Sequence, residues 1–293
     1  NIAFGQESLK VISSGQHNVA FGKDTGIALT TGGCNFIMGC GAGQDLTTGN
    51  YNIMLGLRAG CKITTTHNNI LLGCYAGAEI ISGRNVIIGE IAGRCLCNGS
   101  YNIAFGLESL RGSTTVSNNT ANNNVSLGCK ALSEITSGSY NIALGTEAGK
   151  LLTSGGCNIL MGWQAGEDIT SGYRNTAIGQ KAGMNITDGN DNVLIGYQAG
   201  QDITTDDYNV FIGANAGANT AGSTWGNNIA IGQQALHDNV TGFWNVAVGC
   251  AALKSNTTHR NVAIGKNAGN STTSGGSNLF AAHHAGYYNI SGA

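Results

Sequence analysis

The chain has 293 residues, 14 basic against 16 acidic, with 47 glycines, no proline and only 10% charged residues, a composition far from the globular average. Neither charge sign gathers into a block, which leaves no electrostatic footprint for nucleic acid or an anionic membrane surface. No stretch is long and apolar enough for a transmembrane helix, so no membrane insertion is expected.

The chain opens on Asn1 in register with a repeat and without a basic-then-apolar leader. It is expected to be a segment of a longer protein whose targeting parts lie elsewhere. Nine cysteines are too sparse for a disulfide-stapled miniprotein and too scattered for a zinc module, and they leave the redox compartment open.

From the first residue onward the pattern Asn, apolar, any, apolar, Gly recurs, and it organises everything else. Seventeen copies begin at Asn1, Asn18, Asn35, Asn52, Asn69, Asn85, Asn102, Asn124, Asn141, Asn158, Asn175, Asn192, Asn209, Asn228, Asn245, Asn261 and Asn278. The spacing is 17 residues in most copies, 16 in two, 19 in one and 22 in one, which confines insertions to loops at 111–123 and 218–227. With the Asn numbered 0, position 4 is Gly in sixteen copies, the exception being Ala282. Positions 7 and 8 read Ala-Gly in most copies, as in Ala42-Gly43, or end in Leu in a minority, as in Ser109-Leu110 and Ala131-Leu132. Position 11 is usually Ile or Leu, followed by Thr or Ser and a second Gly, which reads as a second short extended segment ending in a turn.

A period this short, with Gly at fixed corners, excludes helix-pair repeats and leaves short strands joined by turns. The predicted fold is all-β: a parallel β-solenoid of seventeen coils, one domain over 1–293, about 80 Å long at a coil spacing of ~4.8 Å. Positions 1 and 3 are apolar almost throughout and, two residues apart on a strand, share a face. They are expected to form two inward columns, joined by the Ala at 7 and the Ile or Leu at 11. The unvarying Asn is expected to stack into a ladder whose side-chain amides hydrogen-bond from coil to coil.

On that reading position 2 faces outward, yet it is apolar except for Ser126. Its larger members, Ile37, Met54, Leu71, Ile87, Leu160, Leu194, Phe211 and Phe280, would form an exposed stripe of the kind that marks a partner surface, most economically a second copy of the chain. The alternative is a flatter coil in which position 2 packs beneath its own second segment.

The five-residue core, as in Asn1-Ile2-Ala3-Phe4-Gly5, Asn141-Ile142-Ala143-Leu144-Gly145 and Asn261-Val262-Ala263-Ile264-Gly265, resembles the head repeats of trimeric autotransporter adhesins. It is similar also to repeats of bacteriophage and algal-virus tail or surface fibres. The resemblance spans the chain, although the 17-residue period is longer than that of the adhesin head. It implies a parallel β-roll, an elongated homotrimer or filament, display at a virion or cell surface or otherwise outside the cell, and attachment to a host or to other cells. The shared motif is structural, so no functional residue transfers.

Several chemistries are excluded by position. Gly39, Gly41 and Gly43 fall on repeat positions without the Lys-Ser/Thr of a phosphate loop. The pair His283-His284 has no carboxylate or Cys beside it in sequence, and Cys95 and Cys97 lack further ligands at matching positions, so no metal or other cofactor is expected. Cys40, Cys74, Cys129 and Cys250 share position 5 but never in adjacent coils, too far apart for a disulfide within the chain. Acidic residues at position 10 (Asp45, Glu79, Glu134, Asp168, Asp202, Asp238) are interrupted by Val11, Lys62 and Leu151, against a calcium-stacking roll. No Ser, His and Asp grouping recurs, and the chain is not expected to be an enzyme.

Two binding surfaces are considered beside self-association. Aromatic residues near the corners, Trp163, Tyr197 and Trp244 foremost, with Tyr51, Tyr101, Tyr140 and Tyr208, could stack on host or cell-surface glycans. A Thr column at position 12 (Thr30, Thr47, Thr64, Thr136, Thr153, Thr170, Thr187, Thr204), broken at Ile81, Cys97, Ala221 and Val240, offers a hydroxyl rank of the kind that binds ice. Sequons begin at, among others, Asn98, Asn118, Asn124, Asn185, Asn239 and Asn256. Taken together, the sequence points to a structural or adhesive fibre segment, with a carbohydrate-binding solenoid as the competing class.

Overall fold

In the computed structural model, which describes residues 1–114, 119–220 and 226–289, the apolar triplet after every Asn is a three-residue β-strand, and the described residues contain no helix. The chain divides into two compact units, Asn1–Glu147 and Ala148–Ala293. The first holds β1 (Ile2–Phe4), β2 (Val19–Phe21), β3 (Phe36–Met38), β4 (Ile53–Leu55), β5 (Ile70–Leu72), β6 (Val86–Ile88), β7 (Ile103–Phe105), β8 (Val125–Leu127) and β9 (Ile142–Leu144). The second holds β10 (Ile159–Met161), β11 (Thr176–Ile178), β12 (Val193–Ile195), β13 (Val210–Ile212), β14 (Ile229–Ile231), β15 (Val246–Val248), β16 (Val262–Ile264) and β17 (Leu279–Ala281). Each unit is a parallel β-solenoid in which every strand pairs with the next at the same repeat position, as in Ile2↔Val19 and Val193↔Val210. Register survives the long spacings, with Ile103 opposite Val125 and Val210 opposite Ile229. The loop segments 115–118 and 221–225, with the sequon at Asn118 and the column break at Ala221, lie outside the described residues.

The Asn ladder fixes that register. Each Asn Oδ1 accepts the backbone N–H of the Asn in the next coil, for example at 2.8 Å from Asn18 to Asn1 and 2.9 Å from Asn209 to Asn192. The Nδ2 group donates both to the preceding Oδ1 and to the carbonyl at position 14 of its own coil, as from Asn18 to Gly32 at 2.8 Å. The ladder therefore ties strand to strand and each strand to the far corner of its own coil.

The coil closes through left-handed residues. Positions 6 and 16 have positive φ even where they are not glycine, as at Asp24 (56°), Arg58 (53°), His17 (60°) and Tyr208 (59°). Such conformations cost about 1 kcal/mol or more each outside glycine, and here inter-coil hydrogen bonds fix them. The Asp24 N–H donates to the Gln6 carbonyl, and the Cys34 N–H to that of Gln16, both at 2.9 Å. At position 4 the demand is stricter: φ is 131° at Gly5, and a Cβ there would stand 2.4 Å from the Gly22 carbonyl oxygen. Ala282 is in the last described coil, where no following Gly faces it. The second extended segment expected after position 11 is a corner rather than a strand. The N–H groups of Thr30, Thr31 and Gly32 converge on the single carbonyl of Thr47, which leaves no ladder to extend.

The structure reverses the two faces of the strand. Ile37, Met54, Leu71, Ile87, Leu160, Leu194 and Phe211 at position 2 are fully buried, Phe280 in the last coil is half-buried, and positions 1 and 3 point outward. The eight residues expected on an outward stripe are core residues. The reason is parity: side chains alternate along a strand, so position 2 shares the face of the Asn at 0, whose amide ladder is buried. Ala at 7 and Ile or Leu at 11 are interior, as expected.

This thin core obeys a volume rule. Where position 2 is large, position 8 is Gly: a Cβ on Gly217 would meet the Phe211 ring at 2.2 Å, and one on Gly60 would meet the Met54 sulfur at 2.6 Å. Where position 8 is Leu, as in Leu9, Leu110, Leu132, Leu236 and Leu253, position 2 is Ala or Ser. These leucines take positive φ, 51° at Leu236, so the strain is accepted to fill the layer. Layers with neither large residue are filled by neighbours: a Cβ on Gly269 would meet Phe280 at 2.6 Å and Leu253 at 2.8 Å. In the second unit position 11 turns polar at Asn239 and Asn256, both fully buried, and the Asn256 amide donates to Asn239 Oδ1 at 2.9 Å.

The rule predicts the outcome of a swap within one coil. Leu236→Gly is expected to lower unfolding stability by about 3 kcal/mol through the cavity it leaves. Adding Ala230→Leu in the same chain is expected to recover more than half of that loss in denaturant titrations. Additive losses would show that strand and turn do not share one space.

Candidate functional site

Four repeat positions build the outward face of the sheet in each unit. Positions 1 and 3 carry no charged residue in any strand. Their side chains are substantially exposed, with Ile53 at 37% and Phe105 at 40%. Position 16 borders this face on one side, where Tyr51, Tyr101, Tyr140 and Tyr208 are each more than half exposed. Position 5 borders it on the other, with Leu57, Leu107, Trp163 and Tyr197 exposed. The result is an apolar strip with aromatic margins on the solvent side of a sheet whose inner side is already packed.

The three residues expected to stack on sugars are all exposed but are not gathered. Trp163 and Tyr197 occupy position 5, two coils apart, with the Lys181 ammonium 5.2 Å from the Trp163 ring centre. Trp244 occupies position 16 on the opposite margin, between the Arg260 guanidinium at 5.0 Å and an edge-on Phe243 ring at 5.2 Å. Repeat position alone assigns them to different margins, which inspection of aromatic residues one by one does not reveal.

The Thr column serves the coil itself. The hydroxyls of Thr30, Thr47, Thr153, Thr170 and Thr187 donate to the position-12 carbonyl of the next coil at 3.0–3.3 Å. The donors of that rank are spent on the backbone. Four of the six position-10 carboxylates are engaged by neighbouring coils, among them Glu79 with Lys62 at 3.0 Å and Asp202 with the Asn185 amide at 2.8 Å. His283 and His284 are exposed with rings 4.0 Å apart, and the described residues contain no cluster of three metal-ligating side chains. Of the sequon asparagines, Asn124, Asn239 and Asn256 are fully buried, their amides engaged within the coils, so these three do not present glycan acceptors.

Sequence reasoning missed a groove at the first of the two 16-residue coils. The coil 69–84 lacks one residue at the corner after position 11, and Ser82 stands in for position 14, accepting from Asn69 Nδ2 at 3.2 Å. Arg84 thereby keeps position 16, its N–H donating to the His67 carbonyl at 3.2 Å. The shortened corner opens an exposed groove of about 590 Å³ lined by Asn50, Tyr51, His67, Asn68, Gly83 and Arg84, among others. Two equal spacings of 16 residues were the available signal, because a deletion in a stacked repeat must leave a recess.

Compared with known proteins, the chain matches no protein-family model, no curated protein and no solved structure. No helix among the described residues is long and apolar enough to cross a membrane.

The cysteines are all free thiols and differ in access. Burial raises the Cys61 and Cys95 thiols above the ordinary thiol range, with the Asp45 charge adding to it at Cys61 and the Glu79 charge at Cys95. Since the thiolate is the reactive form, Cys34, Cys40, Cys157 and Cys250, which are exposed, are expected to react first with a disulfide reagent in the native protein, half-buried Cys61 more slowly, and buried Cys95 last. Mass mapping of the labelled peptides reads the order directly.

Proposed function

We propose that the chain is a structural fibre segment that associates with copies of itself through the outward face of its sheet, and that it serves attachment at a virus, phage or cell surface. One observation carries this reading: two uncharged columns, at positions 1 and 3 and apolar but for Thr176, face the solvent side and are half-buried to exposed in the described strands. Over nine or eight coils such a strip exceeds the roughly 300–600 Å² of contiguous apolar surface that monomers leave uncovered.

A second copy is the natural occupant, because only a partner with the same ~4.8 Å axial repeat meets each coil in the same way. A homotrimer or a filament satisfies this, and the aromatic margins suit the edge of such an interface. The likeness of the Asn-apolar-Ala-apolar-Gly core to adhesin-head and tail-fibre repeats supports the surface role. The reading assigns no catalysis and no cofactor to the chain. The Thr column lends nothing to ice binding, since its hydroxyl donors are turned to the next coil.

Light scattering tests the association. The chain is expected to run as an oligomer, and the double variant Ile53→Lys, Ile103→Lys to lose at least tenfold in association constant per substitution, about 1.4 kcal/mol each, with its circular dichroism unchanged. A monomer at all concentrations, with reductant and without, would sink the proposal.

A further inference from the structure

We infer that the groove at the shortened corner is a binding site for an acidic saccharide, a sugar bearing a carboxylate. The position-16 column places Tyr51, Asn68 and Arg84 in three successive coils, an aromatic ring, an amide and a guanidinium spaced ~4.8 Å apart along one margin. Tyr51 is 63% exposed, so its ring face is open to stack on a pyranose. The Arg84 guanidinium lies 5.4 Å from the Tyr101 ring centre on its other side and pairs with no carboxylate among the described residues, in contrast with Arg174, which grips Asp191 through two nitrogens. No acidic residue lines the groove. A planar fork of donors without an acidic partner, beside an open aromatic face, is the arrangement that recognises a carboxylated sugar ring.

His67 adds a directed donor. Its Nδ1 accepts the Asn50 backbone N–H at 2.9 Å, which assigns the remaining proton to Nε2. Position 15 of the next coil is Gly83, which lines the groove and brings no side chain into it. The other 16-residue coil, 245–260, provides the comparison. It too has Arg at position 16, with a histidine and an aromatic residue beside it, but there Phe243 stacks flat on His259 with ring centres 4.7 Å apart. A glycine follows the histidine in the next coil at both deletions, Gly83 beside His67 and Gly276 beside His259; the difference lies in the coil before, where Asn50 hydrogen-bonds to His67 and the Phe243 ring covers His259. A volume of about 590 Å³ falls within the usual range for small-ligand sites and accommodates one or two sugar rings.

The site does not depend on self-association, and the test keeps the two apart. Trigalacturonate, its methyl ester and a neutral galactose trisaccharide are titrated by calorimetry at low salt into the full chain and into the double variant Ile53→Lys, Ile103→Lys. Trigalacturonate is expected to bind both proteins alike, and at least tenfold more tightly than the ester or the neutral sugar. Arg84→Gln and Tyr51→Ala, each checked for an unchanged melting curve, are expected to weaken it at least tenfold, and Arg260→Gln to leave it unchanged. No heat at millimolar trigalacturonate, equal binding of the ester, or binding untouched by Arg84→Gln would each overturn the inference. Loss of binding in the double variant alone would do so too, by assigning the sugar to the oligomer.

Discussion

Everything in each unit hangs on one side-chain amide used three ways. The Asn Oδ1 accepts the main-chain N–H of the following Asn, and the Nδ2 group bridges to the preceding Oδ1 and to the carbonyl at position 14. All of these groups are buried through the interior of each unit, so removing one amide would strand a main-chain donor and a main-chain acceptor away from water, at about 1–3 kcal/mol for each. Aspartate has the acceptor but no donor, and glutamine is one methylene too long for the layer spacing. The unvarying residue is therefore a geometric requirement of stacking coils at this distance.

With the ladder in place, the remaining positions are free only within narrow limits. Three-residue strands supply few ladder hydrogen bonds, and the coil gains the rest at corners where left-handed residues turn N–H groups toward a neighbouring coil. The interior is one side chain deep, which is why strand position 2 and turn position 8 trade volume. A packed layer with no room to rearrange enforces such complementarity more sharply than a globular core, where a misfit can spread over many neighbours. Because each coil meets only the next, these constraints repeat locally and their energies accumulate coil by coil.

The architecture was legible in the sequence because the period of the Asn-to-Gly core and the two small corners leave little besides a stacked parallel coil. The amide ladder, the Ala column at 7 and the Ile or Leu column at 11 were legible for the same reason. The sidedness of the strand was not read correctly. Positions 1, 2 and 3 are all apolar, so hydrophobic alternation gives no direction, and the eight large residues at position 2 looked like a surface stripe. The Asn two residues earlier held the answer, since a buried ladder at 0 forces 2 inward with it. The outward strip survives that inversion, carried by Ile53, Phe105 and their neighbours instead of Ile37 and Met54. The groove was invisible residue by residue: Tyr51, His67 and Arg84 are unremarkable singly, and only the missing corner residue brings them to one recess.

The corner that lost a residue at 69–84 is the same part of the coil in which the longer loops are inserted, while strand register passes through all of them unchanged. Length is thus decoupled from alignment. A chain built this way can acquire recognition features by editing one corner of one coil, without renegotiating its core, its neighbours or its outward strip. Diversity of binding and constancy of scaffold are then written into different residues of the same short repeat, and selection can act on one while leaving the other untouched.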